Sequence, residues 1–370
     1  MTTAWQGNRS STRTLLPFAL LLCLSVAAPS SSRAQTSPIN TDEEVLFFPG
    51  LAVEVGTAWT AHVHGWIFEP QADRATLATL EALLREKLDL PKEDFDSPRF
   101  RERARMFLVD NERSKRISVD VSGRTVTLAP SKPNGHFEGQ IPLGETDRRA
   151  GEWIEFRART RPGDSRVFAG RIQLVGRRGL SVVSDIDDTI KDSNVLDRRE
   201  LAANTFARDF RAVPGMADLY QRWATGSNAV FHYVSGSPWQ LYPALDEFAQ
   251  HAGFPGGTFH LRQFRLKDRS AVEFLENRTL EYKLGVIDRL MRLFPDRRFV
   301  FVGDSGEMDP EVYAALALRF PGQVVAILIR DVRGESLDSP RFVKLYKPLA
   351  PSIVRRVFRN PSELADFRPT

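Results

Sequence analysis

The stretch Leu180-Ser-Val-Val-Ser-Asp-Ile-Asp-Asp-Thr-Ile-Lys191 decides how the rest of the chain is interpreted. It starts with a mostly apolar, β-branched run, and a run of this length bounded by polar residues predicts a buried strand. Asp185, Asp187 and Asp188 follow directly. In open α/β sheets the reactive crevice lies at the carboxyl ends of the strands, and close carboxylates need a cation or a proton to coexist. The pattern favours an aspartate nucleophile, an aspartate acid/base and Mg²⁺; the alternative is a solvated acidic turn.

A second apolar run, residues 229–234, ends in Ser235-Gly-Ser-Pro-Trp239. Ser237 is a favourable helix N-cap, and Pro238 is a favourable first helical residue. We therefore predict that Ser235 lies where the free N–H groups of a helix N-terminus can bind an anion. Taken alone, the same segment favours an ordinary capped turn.

A third run, residues 299–302, ends in Gly303-Asp-Ser-Gly-Glu-Met-Asp-Pro-Glu311. Asp304 thus stands at another strand end, with Glu307 and Asp309 close behind it, and oxygen-only ligands of this kind suit Mg²⁺. The alternative is an acidic, glycine-rich turn that caps the next helix. Lys283 lies beside the apolar face of the preceding predicted helix, from which it could reach a phosphoryl oxygen.

These motifs resemble the four-motif order of the haloacid dehalogenase-like phosphatase superfamily. The order consists of Asp185-x-Asp187-x-Thr189, then Ser235, then Lys283, then Gly303-Asp304 with Asp309. The longer strings resemble one branch, the actin-patch-type phosphatidate phosphatase family and its bacterial relatives, and the match covers about residues 179–332. Two strings nearer the N-terminus, Gly65-Trp-Ile-Phe68 and Asn134-Gly-His-Phe137, also resemble that family.

The resemblance implies a role for each matching side chain. Asp185 would attack phosphorus and form an aspartyl-phosphate, and Asp187 would protonate the leaving alkoxide and then activate water. Ser235 and Lys283 would hold the phosphoryl oxygens, which stabilises transferring charge. Thr189 would steady the loop.

The resemblance also implies a Mg²⁺ site. The ion would be held by Asp185, by Asp304 and by the backbone carbonyl of Asp187, and Asp309 would orient its ligand shell. A cation at this position lets two anions approach each other.

The fold predicted from these patterns has two parts. Residues 35–44 are a flexible leader, and residues 45–178 contain short β-rich runs that predict a smaller, sandwich-like domain with one helical insertion on Leu77, Leu80, Leu83, Leu84 and Leu88. From residue 179 to 370, strands alternate with helices, which predicts a parallel sheet covered on both faces. The resemblance makes this part a Rossmann-like, three-layer, haloacid dehalogenase-like catalytic domain.

Two features of the β-rich part are best explained by ordinary structure rather than by function. His62 and His64 alternate on a strand and could bind a metal, but an ordinary strand face is favoured because no third ligand is nearby. Residues 99–105 form a charge run that is typical of a solvated surface.

Residues 1–34 have the pattern of a secretory signal peptide. Arg9 and Arg13 precede an apolar run, residues 15–28, and Ser32-Arg33-Ala34 resembles a cleavage site. An uncleaved anchor is the alternative. Cleavage would remove three arginines and no acids, so the net charge would fall from +4 to +1, and we expect no nucleic-acid partner. Cys23 is the only cysteine, so the exported chain would use neither disulfides nor a thiol nucleophile.

We therefore expect an exported, Mg²⁺-dependent phosphatase for phosphatidate or a related lipid phosphate, with possible peripheral membrane contact. The alternatives are an exported phosphatase for soluble or protein-bound phosphate and a membrane- or partner-binding module. Only about forty residues separate Thr189 from the strand at Ala229, so we expect an open crevice roofed only by the loop 190–214. The sequence does not specify an oligomeric state.

Overall fold

The structure, a computed structural model, describes residues 38–70, 78, 81–82, 92–144, 149–263 and 279–369. The predicted signal peptide and the helix predicted from Leu77 to Leu88 therefore lie outside the described residues, apart from residues 78, 81 and 82. Within the described part, no helix has the length and apolar character that crossing a membrane requires.

Residues 44–175 form a mainly antiparallel sheet of eight described strands. Two short helices, α1 (Lys92–Phe95) and α2 (Pro98–Arg105), lie between the second and third of these strands. The strands are β1 (Glu44–Val55), β2 (Ala58–Glu69), β3 (Asp110–Asn111), β4 (Ser118–Val121), β5 (Arg124–Thr127), β6 (His136–Gly144), β7 (Trp153–Ala158) and β8 (Ala169–Val175).

In this first sheet the order is β3-β2-β1-β8-β7-β4-β5, and β6 pairs with β2. The β1–β8 pair is parallel, whereas β1–β2 and β7–β8 are antiparallel. At the β4–β5 turn, Ser122 and Gly123 both have positive φ angles, 47° and 75°. This is the conformation that tight hairpins require.

Residues 179–358 form a second, six-stranded sheet in which each observed pairing is parallel. Its elements are β9 (Gly179–Ser184), α3 (Arg198–Phe206), α4 (Met216–Gly226), β10 (Val230–Pro238), α5 (Tyr242–His251), β11 (Gly257–Arg262), α6 (Thr279–Leu293), β12 (Arg297–Asp304), α7 (Asp309–Arg319), β13 (Val324–Arg330), α8 (Pro340–Tyr346) and β14 (Val354–Phe358). The mixed α/β fold class is confirmed.

The central strands of the second sheet are buried on both faces. Val300 and Val302 of β12 belong to one apolar cluster, together with residues of α4 and α5. Phe299 and Phe301, which point the other way, belong to a second cluster with residues of α6 and α7. Alternate side chains of one strand thus enter two cores, which is why the sequence shows a continuous apolar run here rather than an alternating one.

The two sheets share part of their core. Phe48 of β1, together with Trp66 and Phe68 of β2, packs in the same apolar cluster as Leu180 and Val182 of β9. The first sheet also has a core of its own, which contains Ile141 and residues of β4, β7 and β8.

The segment that was expected to be only a roofing loop contains helix α3. Ala202, Ala203 and Phe206 of α3 pack against Phe100 and Ala104 of α2. The prediction of a loop alone over the crevice is therefore wrong, because α2 offers an apolar face that the sequence of residues 190–214 does not reveal.

The charge run 99–105 is not entirely solvated. Arg103 is 6% exposed, and its guanidinium donates hydrogen bonds to the backbone carbonyls of Thr205 and Arg208. It also lies 3.7 Å from the ring centre of Phe210. Burial lowers the pKa of Arg103 to about 10. The prediction of a solvated face is wrong at this position, since partners more than 100 residues away cover it.

Candidate active site

The carboxyl ends of three parallel strands bring the motif residues together. Asp185 follows β9, Ser235 and Ser237 lie at the end of β10, and Asp304 is the last residue of β12. The strands are in register, since Ser184 is opposite both Tyr233 and Val302. The sequence prediction that these segments meet at one edge of a sheet is therefore confirmed.

Lys283 joins this edge from α6. Its ammonium Nζ donates to Asp185 Oδ1 at 2.7 Å, to Asp309 Oδ1 at 2.6 Å and to Glu307 Oε2 at 3.0 Å. We call Lys283 and the four acids around it, Asp185, Asp304, Glu307 and Asp309, the carboxylate cluster. The lysine and all the acids except Glu307 are fully buried.

The geometry of the carboxylate cluster suits a divalent cation. Oxygen atoms of Asp185, Asp304 and Asp309 lie within 4.8 Å of one another. Asp304 Oδ1 accepts hydrogen bonds from the backbone N–H groups of Gly306 and Glu307, but Asp304 Oδ2 is buried and has no hydrogen-bond partner among the described residues. An unsatisfied buried carboxylate oxygen is costly unless a ligand completes it. Because the donors are all oxygens, the three aspartates can hold a hard divalent ion.

Glycine is required at position 303 to close this cluster. A Cβ atom added there would lie 2.4 Å from Asp309 Oδ2 and 2.6 Å from Asp309 Cβ. Because such distances are far below van der Waals contact, any side chain at 303 would displace Asp309. Gly303 therefore allows the carboxylate of Asp309 to lie close to the end of β12.

Burial and mutual repulsion raise the pKa values of acids in the carboxylate cluster. Burial raises the pKa of Asp185 well above its usual range; Lys283 opposes this shift, and the charges of the other three acids add to it. Burial, Asp309 and Glu307 likewise raise the pKa of Asp304. Burial alone would lower the pKa of Lys283, but the facing carboxylates raise it well above its usual value. The cluster thus has an excess of negative charge that one ammonium does not balance.

Asp187 lies in a different environment, which we call the hydroxyl cluster and which consists of Asp187, Lys191, Ser193, Ser235 and Ser237. Asp187 Oδ1 lies 2.8 Å from Lys191 Nζ and accepts a 2.7 Å hydrogen bond from Ser193 Oγ. Asp187 Oδ2 accepts hydrogen bonds from Ser235 Oγ at 3.1 Å and from Ser237 Oγ at 3.2 Å.

The hydroxyl cluster keeps Asp187 ionised. Burial by itself would raise the pKa of this carboxyl group, but the Lys191 ammonium and the hydrogen bonds from Lys191, Ser193 and Ser235 lower it to about 2. Lys191 is itself 2% exposed, and its Nζ also lies 4.8 Å from the ring centre of Phe210.

Asp188 organises the loop that presents the two aspartates. It has a positive φ of 52°. Its carboxylate accepts hydrogen bonds from the backbone N–H groups of Ser193, Asn194 and Val195. Three N–H donors on one carboxylate fold the chain back on itself, which brings Lys191 and Ser193 to Asp187. Asp188 is therefore a structural member of the motif.

The remaining predicted residues lie where the motif order placed them. Thr189 Oγ1 donates a 3.1 Å hydrogen bond to Asp185 Oδ2, which agrees with its expected steadying position. Asp309 Oδ2 accepts from the backbone N–H of Asp304 at 3.2 Å. The predicted contacts of Ser235 and Lys283 with a phosphoryl group remain predictions.

The N-cap predicted at Ser237 is wrong, although a helical segment does begin at Trp239. β10 continues to Pro238, a single 3₁₀ turn covers Trp239–Leu241, and α5 begins only at Tyr242. Ser237 is therefore not an N-cap, and its hydroxyl contacts Asp187 instead. The capping signal was misleading because a serine before proline suits an extended strand end equally well.

Sequence reasoning missed Lys191 and Ser193 as site residues. Lys191 is the last residue of the quoted motif, and a lysine four residues after an aspartate was an available signal. Ser193 offered no such signal, because it reaches Asp187 only through the tight turn at Asp188.

Comparison with known proteins agrees with this geometry. Residues 180–331 match the family model described as "Phosphatidate phosphatase APP1, catalytic domain". An uncharacterized protein of Schizosaccharomyces pombe is 33% identical over 174 residues, which are 46% of this chain and 28% of that protein. "Phosphatidate phosphatase APP1" of Saccharomyces cerevisiae is 35% identical over 165 residues, which are 44% of this chain and 27% of that protein.

The chain thus spans little more than a quarter of the length of these curated relatives. Among solved structures, a carbohydrate esterase covers 79% of this chain and 88% of its own at 11% identity, with a TM-score of 0.21, a value that supports no argument.

The segment that holds both clusters therefore has an α/β fold and is similar to a phosphatase catalytic domain. More specifically, residues 180–331 are similar to the catalytic domain of APP1-type phosphatidate phosphatases. The resemblance predicted from the motifs is confirmed for this segment.

Proposed function

We propose that this protein is a Mg²⁺-dependent phosphatase that removes the phosphate from phosphatidate or a related lipid phosphate through an aspartyl-phosphate on Asp185. The main support for the proposal is that two aspartates, two residues apart, have carboxylates in different environments. Asp185 faces Lys283 and a candidate cation site, and Asp187 faces hydroxyl groups and Lys191.

In the first step, a carboxylate oxygen of Asp185 attacks phosphorus, and the bond between phosphorus and the glycerol oxygen breaks. Lys283 donates to Asp185 Oδ1 and Thr189 to Asp185 Oδ2, so the side chain is held on both oxygens before the substrate arrives. A nucleophile oriented in this way loses little freedom on reaching the transition state. Lys283 is also positioned to bind a phosphoryl oxygen as charge shifts.

Asp187 donates a proton to the leaving glycerol oxygen. It is ionised in the free protein, since its pKa is about 2. The negative charge of an incoming phosphate ester raises that pKa, which favours the protonated form at the moment when a proton is needed. In the second step the ionised Asp187 takes a proton from water, the resulting hydroxide attacks phosphorus, and the bond to Asp185 breaks to release phosphate.

A cation that fits this site is Mg²⁺, which would be held by Asp185, Asp304 and the backbone carbonyl of Asp187, while Asp309 would orient its ligand shell. Bound there, it supplies positive charge that allows a phosphate dianion to approach a buried carboxylate. The unsatisfied Oδ2 of Asp304 and the all-oxygen donor set support this choice.

The fold context supports a haloacid dehalogenase-like arrangement. Counted from β9, the order of the parallel sheet is 3-2-1-4-5-6, which is the order of doubly wound α/β folds. The strand order reverses beside β9, and Asp185 and Asp304 stand on the two sides of that point. Ligands in such folds bind at this reversal.

The substrate class and the location are the least direct parts of the proposal. A lipid phosphate is favoured because the Saccharomyces cerevisiae relative is named a phosphatidate phosphatase. Export to the periplasm or the exterior is favoured by the apolar run 15–28 behind Arg9 and Arg13. A lipid substrate would then be met at a membrane surface, which calls for peripheral contact.

The test is phosphate release from a substrate panel with and without Mg²⁺. The panel contains phosphatidate, lysophosphatidate, diacylglycerol pyrophosphate and soluble phosphate esters. We expect release only with the metal, and faster release from the lipid phosphates. Strict preference for soluble esters would reject the lipid assignment, and failure to release phosphate from any of them would reject the enzyme. Mass spectrometry of the native protein should find a mature end near Gln35; an intact Met1 would reject export.

A further inference from the structure

A cavity of about 900 Å³ lies between the two sheets, beside the catalytic edge. One side is formed by β1, β2 and β6 of the first sheet, and the other by β11, α6 and Trp239. None of the acids of the carboxylate cluster and none of the hydroxyl cluster lines it among the described residues. The volume is within the range of about 300–1,000 Å³ that small-molecule sites occupy, and such sites are common where two structural layers meet.

The long wall of the cavity is apolar. Tyr282, Val286, Leu290 and Leu293 of α6 all face it. These residues span eleven positions, which at the helical rise correspond to about 16 Å. The stripe is therefore an elongated apolar surface, which is the shape that accommodates an extended alkyl chain rather than a compact polar ligand.

An aromatic floor continues this wall. The ring centres of Phe48 and Trp239 lie 4.0 Å apart, and His64 meets Trp239 edge-on at 4.7 Å. The histidines of the wall are uncharged at neutral pH, because burial lowers the pKa of His64 to about 3 and that of His260 to about 4. They add polar contacts without adding charge.

The charged groups of the cavity are mostly basic. Arg262 is partly buried at the end of β11, and Arg289 lies on the exposed side of α6. Neither guanidinium has a carboxylate partner within 4 Å among the residues described. Among the described lining residues the acid is Glu138, whose carboxylate lies 3.0 Å from Lys132 Nζ. Two arginines beside an apolar wall are complementary to an anionic headgroup on an apolar body.

The cavity adjoins the catalytic site through neighbouring residues. Tyr282 immediately precedes Lys283, and Trp239 comes two residues after Ser237. Arg262 is the register partner of Pro238 at the carboxyl edge of the sheet. Residues that line the cavity thus lie within two positions of Lys283 and Ser237 along the chain, on two different elements.

We propose that this cavity is a second ligand site that binds an amphiphilic anion, with a single alkyl chain along α6 and the headgroup on Arg262 and Arg289. This site is additional to the phosphatase centre, and ligand binding there requires no turnover. The headgroup could be a carboxylate, as in a fatty acid, or a phosphate, as in an alkyl phosphate, since both offer the paired oxygens that arginine recognises.

The test is titration calorimetry at neutral pH on the full chain, below the micelle concentration of each probe. Laurate is the carboxylate probe. Dodecyl phosphate, measured on the Asp185→Asn variant to prevent turnover, is the phosphate probe. Dodecanol and inorganic phosphate test the chain and the headgroup separately. We expect saturable binding of laurate or dodecyl phosphate at one site per chain, and at least tenfold weaker binding of dodecanol and inorganic phosphate.

Matched variants locate the site. Arg262→Gln combined with Arg289→Gln should weaken binding at least tenfold, because each removes a charge-assisted contact. Arg292→Gln, on the same helix and paired with Asp288 outside the cavity, should leave binding unchanged. Val286→Trp should weaken binding by filling the cavity; if that variant does not fold, the two surface arginines still decide the test. Unchanged affinity in the double variant, equal binding of dodecanol, or no saturable binding of either anion would overturn the proposal.

Discussion

The two halves of the candidate active site differ in the balance of their charges. In the carboxylate cluster, Asp185, Asp304, Glu307 and Asp309 surround the single ammonium of Lys283. In the hydroxyl cluster, one carboxylate, Asp187, meets the one ammonium of Lys191 and three serine hydroxyls. The first half has surplus negative charge, whereas the second is balanced within itself.

This difference explains how two aspartates in one turn can have separate tasks. A surplus of buried carboxylates is stable only with an added cation or added protons, so the first half is suited to hold a metal beside a nucleophile. A balanced, hydrogen-bonded carboxylate exchanges protons without a metal. Substitutions can therefore disrupt each half separately.

The largest effect is expected from Asp185→Asn, which removes the attacking oxygen. Phosphate release should fall to background, because no covalent path remains. The variant should still fold, since asparagine is isosteric and relieves repulsion within the cluster. A phosphate-release assay with circular dichroism as a folding check measures this. Asp366→Asn, an exposed acid paired with Arg356, is the matched control and should retain full activity.

Asp187→Asn should reduce turnover by about 10²–10⁴-fold, which is the usual contribution of general acid/base catalysis. Substrates with good leaving groups, such as aryl phosphates, should lose less in their first step because they need no proton. Comparing the rate loss for an aryl phosphate with that for an alkyl phosphate measures this. An equal loss for both would argue against the acid role.

Asp304→Asn should raise the Mg²⁺ concentration needed for half-maximal activity by at least 10–100-fold. Losing a residue that only hydrogen-bonds to a metal ligand typically weakens metal binding by this factor, and losing a direct ligand should weaken it at least as much. Without metal, the variant should be slightly more stable than the wild type, because one repelling charge is gone. A Mg²⁺ titration of phosphate release measures the first effect, and thermal unfolding without Mg²⁺ measures the second. A variant with a wild-type response to Mg²⁺ would show that the ion binds elsewhere.

Lys191→Met should destabilise the protein in a pH-dependent way. Asp187 has a pKa of about 2 in the folded protein, below its unfolded value of about 3.9. Its contribution to stability is therefore present above pH 4 and is lost as the pH falls towards 2. We expect a loss of about 2 kcal/mol at pH 7 that shrinks below pH 4. Urea unfolding across this range measures it, with the exposed Lys344→Met as control; a difference that does not vary with pH would contradict the pairing.

Much of the catalytic edge was predictable because the sequence patterns that mark it are contained in short segments of the chain. Apolar runs gave the strands β9, β10 and β12 within a few residues, and each of these runs was followed by its polar motif.

The misses share a physical cause, which is that they depend on contacts between distant residues or on one backbone angle. Arg103 is buried because Thr205 and Arg208 accept its hydrogen bonds. Lys191 and Ser193 reach Asp187 because Asp188 turns the chain with a positive φ. β11 was not predicted, since its short sequence Gly-Thr-Phe-His-Leu-Arg becomes a strand only by pairing with β10.

The most direct test of the division between the two halves is acid-quench labelling with a ³²P-labelled substrate, followed by peptide mapping. The wild type should give a small amount of label on Asp185. The Asp187→Asn variant should accumulate more, because hydrolysis of the aspartyl-phosphate needs the missing base, and Asp185→Asn should give none. Label on any residue other than Asp185, or label that persists in Asp185→Asn, would contradict the mechanism.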